Sequence, residues 1–508
     1  MRYRLSVILY SVAMAVLCFI IFPLSASEDI FYDSSYQYFL TQHNFAEITQ
    51  LIPEDYSPPL YAYLLKLFTL VFGDSLFAMR AFSLVAVGGM LYLSTFVVRK
   101  AFGDVPSVIC TILILCSTVN LRILSDIRPL IFAMFFNMAL VLYAYLSYKE
   151  NKTYAYICMT IFAIMAMYTH YIALLSAFGV YVTVILISLV KKEYNKFKRF
   201  FVSGVICAAA YIPWLAVLAG QLGNVKDHYW TVKFSFDSAL EYILWRPFQV
   251  ENTTMAFMNL VIKLFICVAF VVALIIFMRS DKVKNVTLKK FWAVLKEEGI
   301  GNGLLLLLLL VIPVLMFAFF AIVIYPAASQ RYFFIFQPIW MIILSVFLGK
   351  ICPRKLSCCV IAVIVFNFCT ASVTHYTQIQ NNTLEEMNSQ IVSKDGEAPA
   401  FLHLHEGTLG IMSYYFPEAR HYVCSDTYTV LRTYDIFTTD IRSIDDICDI
   451  ADFESRFYIF DSNYTSTFRN DEYEIEFVGD YNSSYGLYAS GFGLNRITLV
   501  NSDVSLEN

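Results

Sequence analysis

The chain has 508 residues, of which 59% are hydrophobic, 17% aromatic and only 15% charged. That is too apolar for a water-soluble protein of this length, and it points to a multi-pass membrane protein. The net charge of -4 does not discriminate further, because membrane proteins sort charge by side, and no nucleic-acid partner is expected.

In chain order, Arg2 and Arg4 precede an apolar run from Ser6 to Leu24. Ser25-Ala26-Ser27 resembles a small-residue cleavage site, so a cleaved signal peptide is the rival reading. The run is nearer a full span than a signal core, which favours an uncleaved first helix. Further apolar runs lie at about 76–98, 104–121, 129–148, 153–169, 171–190, 200–219, 256–278, 303–324, 332–349 and 356–374, which with the first predict about eleven spans. Lys and Arg gather in alternate loops (Arg99/Lys100, Lys149/Lys152, Lys191 to Arg199, Arg279 to Lys290, Lys350 to Lys355). This places the N-terminus in the cytoplasm and the tail outside. Segment 57–73 is short and interrupted, and is read as a helix at or dipping into the outer interface. Counting it as a span would invert every later loop.

From His375 to Asn508 the character changes: acids, Asn, Ser and Tyr rise and no run is long enough to span. Ala400 to Leu404, Phe457 to Phe460 and Glu474 to Val478 read as strands, with a helical pattern near 407–416. The expected fold class is mainly α: a polytopic helical bundle with a small extracytoplasmic α/β C-terminal domain. The bundle would take residues 1–374, including an outer loop at 25–75, and the domain residues 375–508. No phosphate-binding glycine loop, zinc-ligand spacing or nucleophile elbow occurs in the tail. Ten of the twelve cysteines lie in or beside apolar runs, where they act as small hydrophobes. Cys424 and Cys448 stand in polar sequence, and whether they pair is open.

The polar residues with chemical potential gather at the expected outer ends of spans. Glu28 to Leu65 forms a long acidic and aromatic first loop, and Asp126, Arg128, His170 and Arg331 share its side. Pro129 and Ser329 suit helix starts, so Arg128 and Arg331 would lie near positive helix ends that favour an anion such as phosphate. Each residue also has a plain structural role: an arginine snorkelling to headgroups, a hydrogen-bonded core histidine, a helix opened by Pro58 and Pro59, and acids Glu54 and Asp55 near a helix start. Their shared side favours function, as does a first loop longer than a connection requires.

Five stretches then form an ordered set: DYSPPLYAYLLKLF (Asp55 to Phe68), FGDSLFAMR (Phe72 to Arg80), DIRPLIF (Asp126 to Phe132), YTHY (Tyr168 to Tyr171) and RYFFIFQP (Arg331 to Pro338). In this order they resemble the GT-C membrane glycosyltransferases of glycosyltransferase family 39 type, most closely the protein O-mannosyltransferase and aminoarabinose-transferase-like group, over roughly residues 1–350. Two departures stand out. Many relatives carry His before the paired prolines, where this chain has Ser57. The family's first-loop Asp-Glu pair is also absent in that order: Glu28-Asp29 reverses it, while Asp33 keeps a more familiar spacing to Pro58-Pro59.

The resemblance implies a hexosyl- or pentosyltransferase of the cell envelope, in a bacterial plasma membrane. It would move a sugar from a polyprenyl-phosphate carrier to an acceptor hydroxyl of a lipid, protein or cell-wall glycan, with inversion. In that reading Asp33, or Asp29, is the general base. Arg128, His170 and Arg331 hold the donor phosphate. Asp55 and Asp126 position the acceptor or a divalent cation (Mg or Mn), the only cofactor the reading admits. A transporter or flippase of a lipid-linked glycan is the alternative, but it predicts ionisable residues within the spans, which are nearly charge-free here. A membrane scaffold displaying the tail would need no convergence of acids and bases.

Overall fold

The computed structural model describes residues 2–25, 30–55, 57–228, 234–250, 256–279, 300–324, 329–396, 398–404, 406–424, 434–460, 468, 472–485 and 488–500. Its contacts divide the chain into two units. The first takes residues 1–22, 82–124 and 129–374, and the second takes 23–81, 125–128 and 375–508. The acidic first loop therefore groups with the tail.

Among the described residues eight helices are long and apolar enough to cross a membrane: Arg4–Pro23, Leu76–Phe102, Leu130–Glu150, Tyr171–Val190, Tyr194–Gln221, Gly303–Val323, Gln330–Lys350 and Arg354–Gln380. Of the other three expected spans, those at 104–121 and 153–169 hold the shorter apolar helices Asp104–Leu115 and Thr153–Met167, and the one at 256–278 falls on helix Ala256–Arg279, of 24 residues. The run at 104–121 breaks because Ser117 starts a new helix, Thr118–Ile123, by accepting a hydrogen bond from the Asn120 amide on its side chain. Asn120 in turn donates from Nδ2 to the Ile114 carbonyl at 2.9 Å, closing the preceding helix.

Leu130–Glu150 is the central helix of the first unit, buried along nearly its whole length. By contrast Arg4–Pro23 leaves most of its apolar side chains exposed, as a lipid-facing helix does. Helices Tyr171–Val190 and Ile300–Phe319 approach so closely at Gly179 that an added Cβ would lie 2.6 Å from the Pro313 Cα. Small residues permit such backbone contact where dispersion replaces the hydrophobic effect between helices.

In the second unit the helix Leu60–Phe72 begins directly after Pro59, as the paired prolines predict, and Gly73 ends it with φ +88°. Its 13 residues make it about 20 Å long, short of a bilayer core.

The tail builds a six-stranded sheet from β1 (Ala400–His403), β2 (Arg420–Cys424), β3 (Asp440–Ile444), β4 (Arg456–Ile459), β5 (Tyr473–Tyr485) and β6 (Tyr488–Leu499). The order is β3-β2-β1-β4-β6-β5. β1 runs parallel to β2 and β4, β2 parallel to β3, and the β5-β6 hairpin closes antiparallel on β4. Expected strands at 400–404, 457–460 and 474–478 coincide with β1, β4 and β5, and the helical pattern at 407–416 with helix Glu406–Tyr415. β2, β3 and β6 were not anticipated. β3 is an edge strand with mostly exposed side chains, so it carries little apolar signal. Strand alternation puts Ala400, Leu402, Tyr422, Phe457, Ile459 and Ile497 into one core.

Asp395, at the end of helix Leu384–Asp395, ties that helix to the sheet. It accepts from Arg496 at 2.7 and 2.8 Å, from Arg456 at 2.6 Å and from the Tyr458 hydroxyl at 2.5 Å. Against the opposing effect of burial, these donors hold its carboxyl low, at about 2. Cys424 is buried, with Sγ 3.7 Å from the Asp445 carbonyl, and Cys448 is exposed; both are free thiols.

On the opposite face of the sheet, His403 Nε2 and His421 Nδ1 lie 2.9 Å apart, both fully buried. Desolvation pushes both imidazoles down, His403 also through the His421 charge, and His421 reaches about 4 despite the Phe416 carbonyl and Asp440. The unfolded chain would take up protons near the ordinary histidine value of about 6.5, whereas the folded His421 waits until about 4. Between those values the unfolded state binds more protons, so stability falls as the pH drops. His421 alone is expected to cost about 2 kcal/mol by about pH 5 relative to neutral pH. Hydrogen exchange of the β1 and β2 amides in the full chain, corrected for intrinsic rates, measures this; protection unchanged between neutral and acid pH would contradict it.

Candidate functional site

Asp33 lies in the first turn of helix Tyr32–Leu40, where a carboxylate complements the positive helix end. It is 8% exposed, and its Oδ2 is 3.7 Å from Nε of Arg128. Arg128 also donates from Nη1 to the Asp33 carbonyl at 3.3 Å, so one guanidinium holds both the side chain and the backbone of that residue. One residue on, the Ile127 amide donates to Ser34 Oγ at 3.2 Å, and Ser125 Oγ is 3.5 Å from His375 Nε2. The Ser125–Arg128 segment is thereby stitched along the Asp33 helix.

Asp126 is buried in the same segment. Tyr61, the tyrosine of the PPLY element, is 1% exposed; burial holds its hydroxyl far above the usual phenol range, with the Arg128 and Asp126 charges acting on it in opposite directions. Asp33, Asp126, Arg128 and Tyr61 thus form one buried acid-base cluster of the second unit. Arg128, expected on the donor phosphate, stands here as the partner of the carboxylate. Asp55 closes the short helical turn Ile52–Asp55, and Asp29 lies outside the described residues.

In the first unit, His170 precedes helix Tyr171–Val190 and caps it, its Nδ1 accepting from the Ile172 amide at 3.1 Å. In a neutral ring this puts the proton on Nε2 and leaves that nitrogen as a donor. The ring packs edge-on against Tyr332, with centroids 5.2 Å apart, and the Arg331 guanidinium lies 5.9 Å from the centre of the same ring. Tyr332 therefore joins His170 and Arg331. Arg331 and Tyr332 are half-buried and lie on a turn of 3-10 helix, Gln330–Phe336. Ser329 precedes that turn without a side-chain cap; the turn is held instead by Asn137, which donates to the Ile335 carbonyl at 3.0 Å and accepts from Ser176 at 2.8 Å.

Sequence reasoning missed a second arginine pair. The Gln330 side chain accepts from the Tyr242 hydroxyl, and the Tyr242 ring lies 5.6 Å from the Arg246 guanidinium. Burial lowers Arg246 and the charge of Arg122 lowers it further, with Tyr242 and Glu241 opposing. Glu241 pairs with Lys263 at 2.8 Å. The signal available beforehand was the WRP tripeptide, an arginine-proline pair like that at Arg128-Pro129. Among the described residues no group of three or more His, Cys, Asp or Glu side chains is placed to hold a metal ion.

The Asp33-Arg128 pair should be coupled energetically. Arg128→Gln leaves a buried carboxylate without its cation and is expected to destabilise the chain by about 2–4 kcal/mol, and Asp33→Asn in the same background should recover part of that loss. A double-mutant cycle by denaturant unfolding measures the coupling, and additive effects would break the assignment.

The model of the dolichyl-phosphate-mannose-protein mannosyltransferase family matches residues 56–216. Among solved structures the chain is similar to ArnT from Cupriavidus metallidurans bound to undecaprenyl phosphate, with a TM-score of 0.59 and 11% identity, covering 96% of this chain and 97% of that one. It is also similar to the apo state of that protein, with a TM-score of 0.58 and 10% identity over 97% of each. No curated protein matches it. The fold is thus ArnT-like, and the resemblance read from the motifs is borne out: the matched segment runs from just before the paired prolines, through DIRPLIF, past YTHY.

Proposed function

We propose that this chain is a membrane glycosyltransferase that moves a sugar from a polyprenyl-phosphate carrier to an acceptor hydroxyl. The observation that carries the reading is the buried Asp33 carboxylate held by Arg128 in a chain with the ArnT fold, whose solved relative binds undecaprenyl phosphate. The family description, which names a lipid-phosphate sugar, supports the same donor class.

In this reading Asp33 takes the proton from the acceptor hydroxyl as its oxygen bonds the anomeric carbon. The bond from that carbon to the phosphate oxygen breaks, its electron pair leaves with the polyprenyl phosphate, and the configuration inverts. Arg128 fixes the direction of the carboxylate. Asp126 and Asp55 orient the acceptor, Asp29 being the alternative base. The growing charge on the leaving phosphate calls for cations and fixed donors, which His170, Arg331, Arg246 and Arg122 supply. The apolar bundle suits the lipid tail. The N-terminus is assigned to the cytoplasm and the tail to the extracytoplasmic side of a bacterial plasma membrane on the distribution of Lys and Arg.

Reconstituted in vesicles with a radiolabelled polyprenyl-phosphate sugar, the protein is expected to form a new glycosidic product; movement of the lipid without a product would indicate a flippase. Asp33→Asn should lower kcat by about 10²- to 10⁴-fold. Full transfer by both Asp33→Asn and Asp29→Asn would sink the base assignment. His170→Asn separates two roles of one residue, because Asn caps a helix well and should hold stability within about 0.5 kcal/mol. A rise in donor KM at unchanged thermal stability is the expected result; an unchanged KM would remove His170 from the phosphate site.

A further inference from the structure

Helix Tyr32–Leu40 presents two opposite faces. Asp33 and Gln37, one turn apart, lie on one; Ser35, Tyr38 and Phe39, spaced i, i+3 and i+4, lie on the other. That second face rests on the tail. A Cβ added at Gly410, within helix Glu406–Tyr415, would fall 2.0 Å from Ser35 Oγ, 3.1 Å from Ser35 Cβ and 3.3 Å from the Phe437 ring. Around this close approach, Tyr38 meets Tyr414 edge-on at 4.9 Å, Phe39 meets Phe437 at 5.1 Å, and His43 Nε2 lies 2.9 Å from the Ile436 carbonyl.

Helix Glu406–Tyr415 is itself pinned at both ends by the buried histidine pair. His403 Nδ1 lies 3.2 Å from Thr408 Oγ1 in its first turn, and His421 Nε2 lies 3.3 Å from the Phe416 carbonyl just past its end. A link between Ser413 Oγ and Thr439 Oγ1 at 3.1 Å holds its last turn to the segment bearing Phe437. The helix is therefore a rigid seat, and the residue that lets the Asp33 helix reach it is a glycine.

We propose that the C-terminal domain is a positioning element of the transferase: Gly410 sets the depth and rotation of helix Tyr32–Leu40 and thereby the aim of the Asp33 carboxylate. The proposal rests on the transferase reading above. A side chain at 410 pushes the helix off its seat, and because Asp33 is on the far face, the displacement reaches the carboxylate without any change beside it. Ser35 and Gly410 are positioning residues, since neither is assigned contact with reacting atoms.

The experiment uses the full-length protein in vesicles with the labelled polyprenyl-phosphate sugar, together with hydrogen exchange of the 32–40 peptide. Gly410→Val is expected to lower kcat about tenfold or more, with donor KM within about twofold, and to raise exchange in 32–40 while the β1 and β2 amides stay protected. Gly410→Ala should do the same more weakly. Adding Ser35→Gly to Gly410→Ala clears the space and should restore kcat to near that of Ser35→Gly alone. Unaltered exchange in 32–40, a kcat within about twofold of wild type in folded Gly410→Val, or no recovery in the double variant would each overturn the proposal. If Gly410→Val does not fold, Gly410→Ala and its rescue decide. Asp33→Asn in the same assay keeps the two ideas apart: full transfer by that variant overturns the base role, whereas the exchange and rescue data judge the helix contact by themselves.

Discussion

A carboxylate taken out of water must be paired, and in this chain the pairing of Asp33 with Arg128 organises what surrounds it. The two residues are far apart in sequence, and the side chain of each is largely buried. Removing an ion from water costs several kcal/mol, so the arginine is required wherever the aspartate is buried. Arg128 also binds the Asp33 carbonyl, and the neighbouring Ile127 amide binds Ser34, so the contact fixes a stretch of backbone as well as one side chain. The helix that carries Asp33 is thereby held on one face by charge and on the other by close packing against Gly410.

The basic side chains of the first unit follow a different rule. His170, Arg331 and Arg246 stand beside aromatic rings, Tyr332 and Tyr242, which help keep each guanidinium ordered. The turns that bear the two arginines are short, Gln330–Phe336 and Arg246–Phe248, and each has a carbonyl that accepts from a buried amide, Ile335 from Asn137 and Phe248 from Asn367. Irregular backbone of this kind is tolerated near a membrane where protein groups satisfy it, and it leaves side chains pointing in directions a regular helix does not allow.

Hydropathy alone made the helical bundle legible, because a run of apolar side chains long enough to span has few alternatives. What it overstated was continuity: the stretch after Asp104 reads as one span, yet Ser117 and Asn120 use their side chains to end one helix and start another. In the tail, β1 and β4 were readable because both are buried in the middle of the sheet, whereas β3 is an exposed edge. Among site residues, the motifs pointed to Asp33, Asp126, Arg128, His170 and Arg331 but not to Tyr332, Arg246 or Gly410. A tyrosine beside an arginine, or one glycine in a short helix, has no meaning until its neighbour from a distant segment is known.

The sequence by itself determined that the chain is a membrane protein, where its helices run, and the order of motifs that links it to the GT-C fold. Those properties depend on local composition and on spacing along one segment. Only the tertiary structure decided that Arg128 answers Asp33, that Tyr332 and Tyr242 order the cations, and that the Asp33 helix is seated on Gly410 of the tail. Each of these is a contact between segments remote in sequence, set by packing and by the need to satisfy buried charge, and neither leaves a periodic trace in the chain.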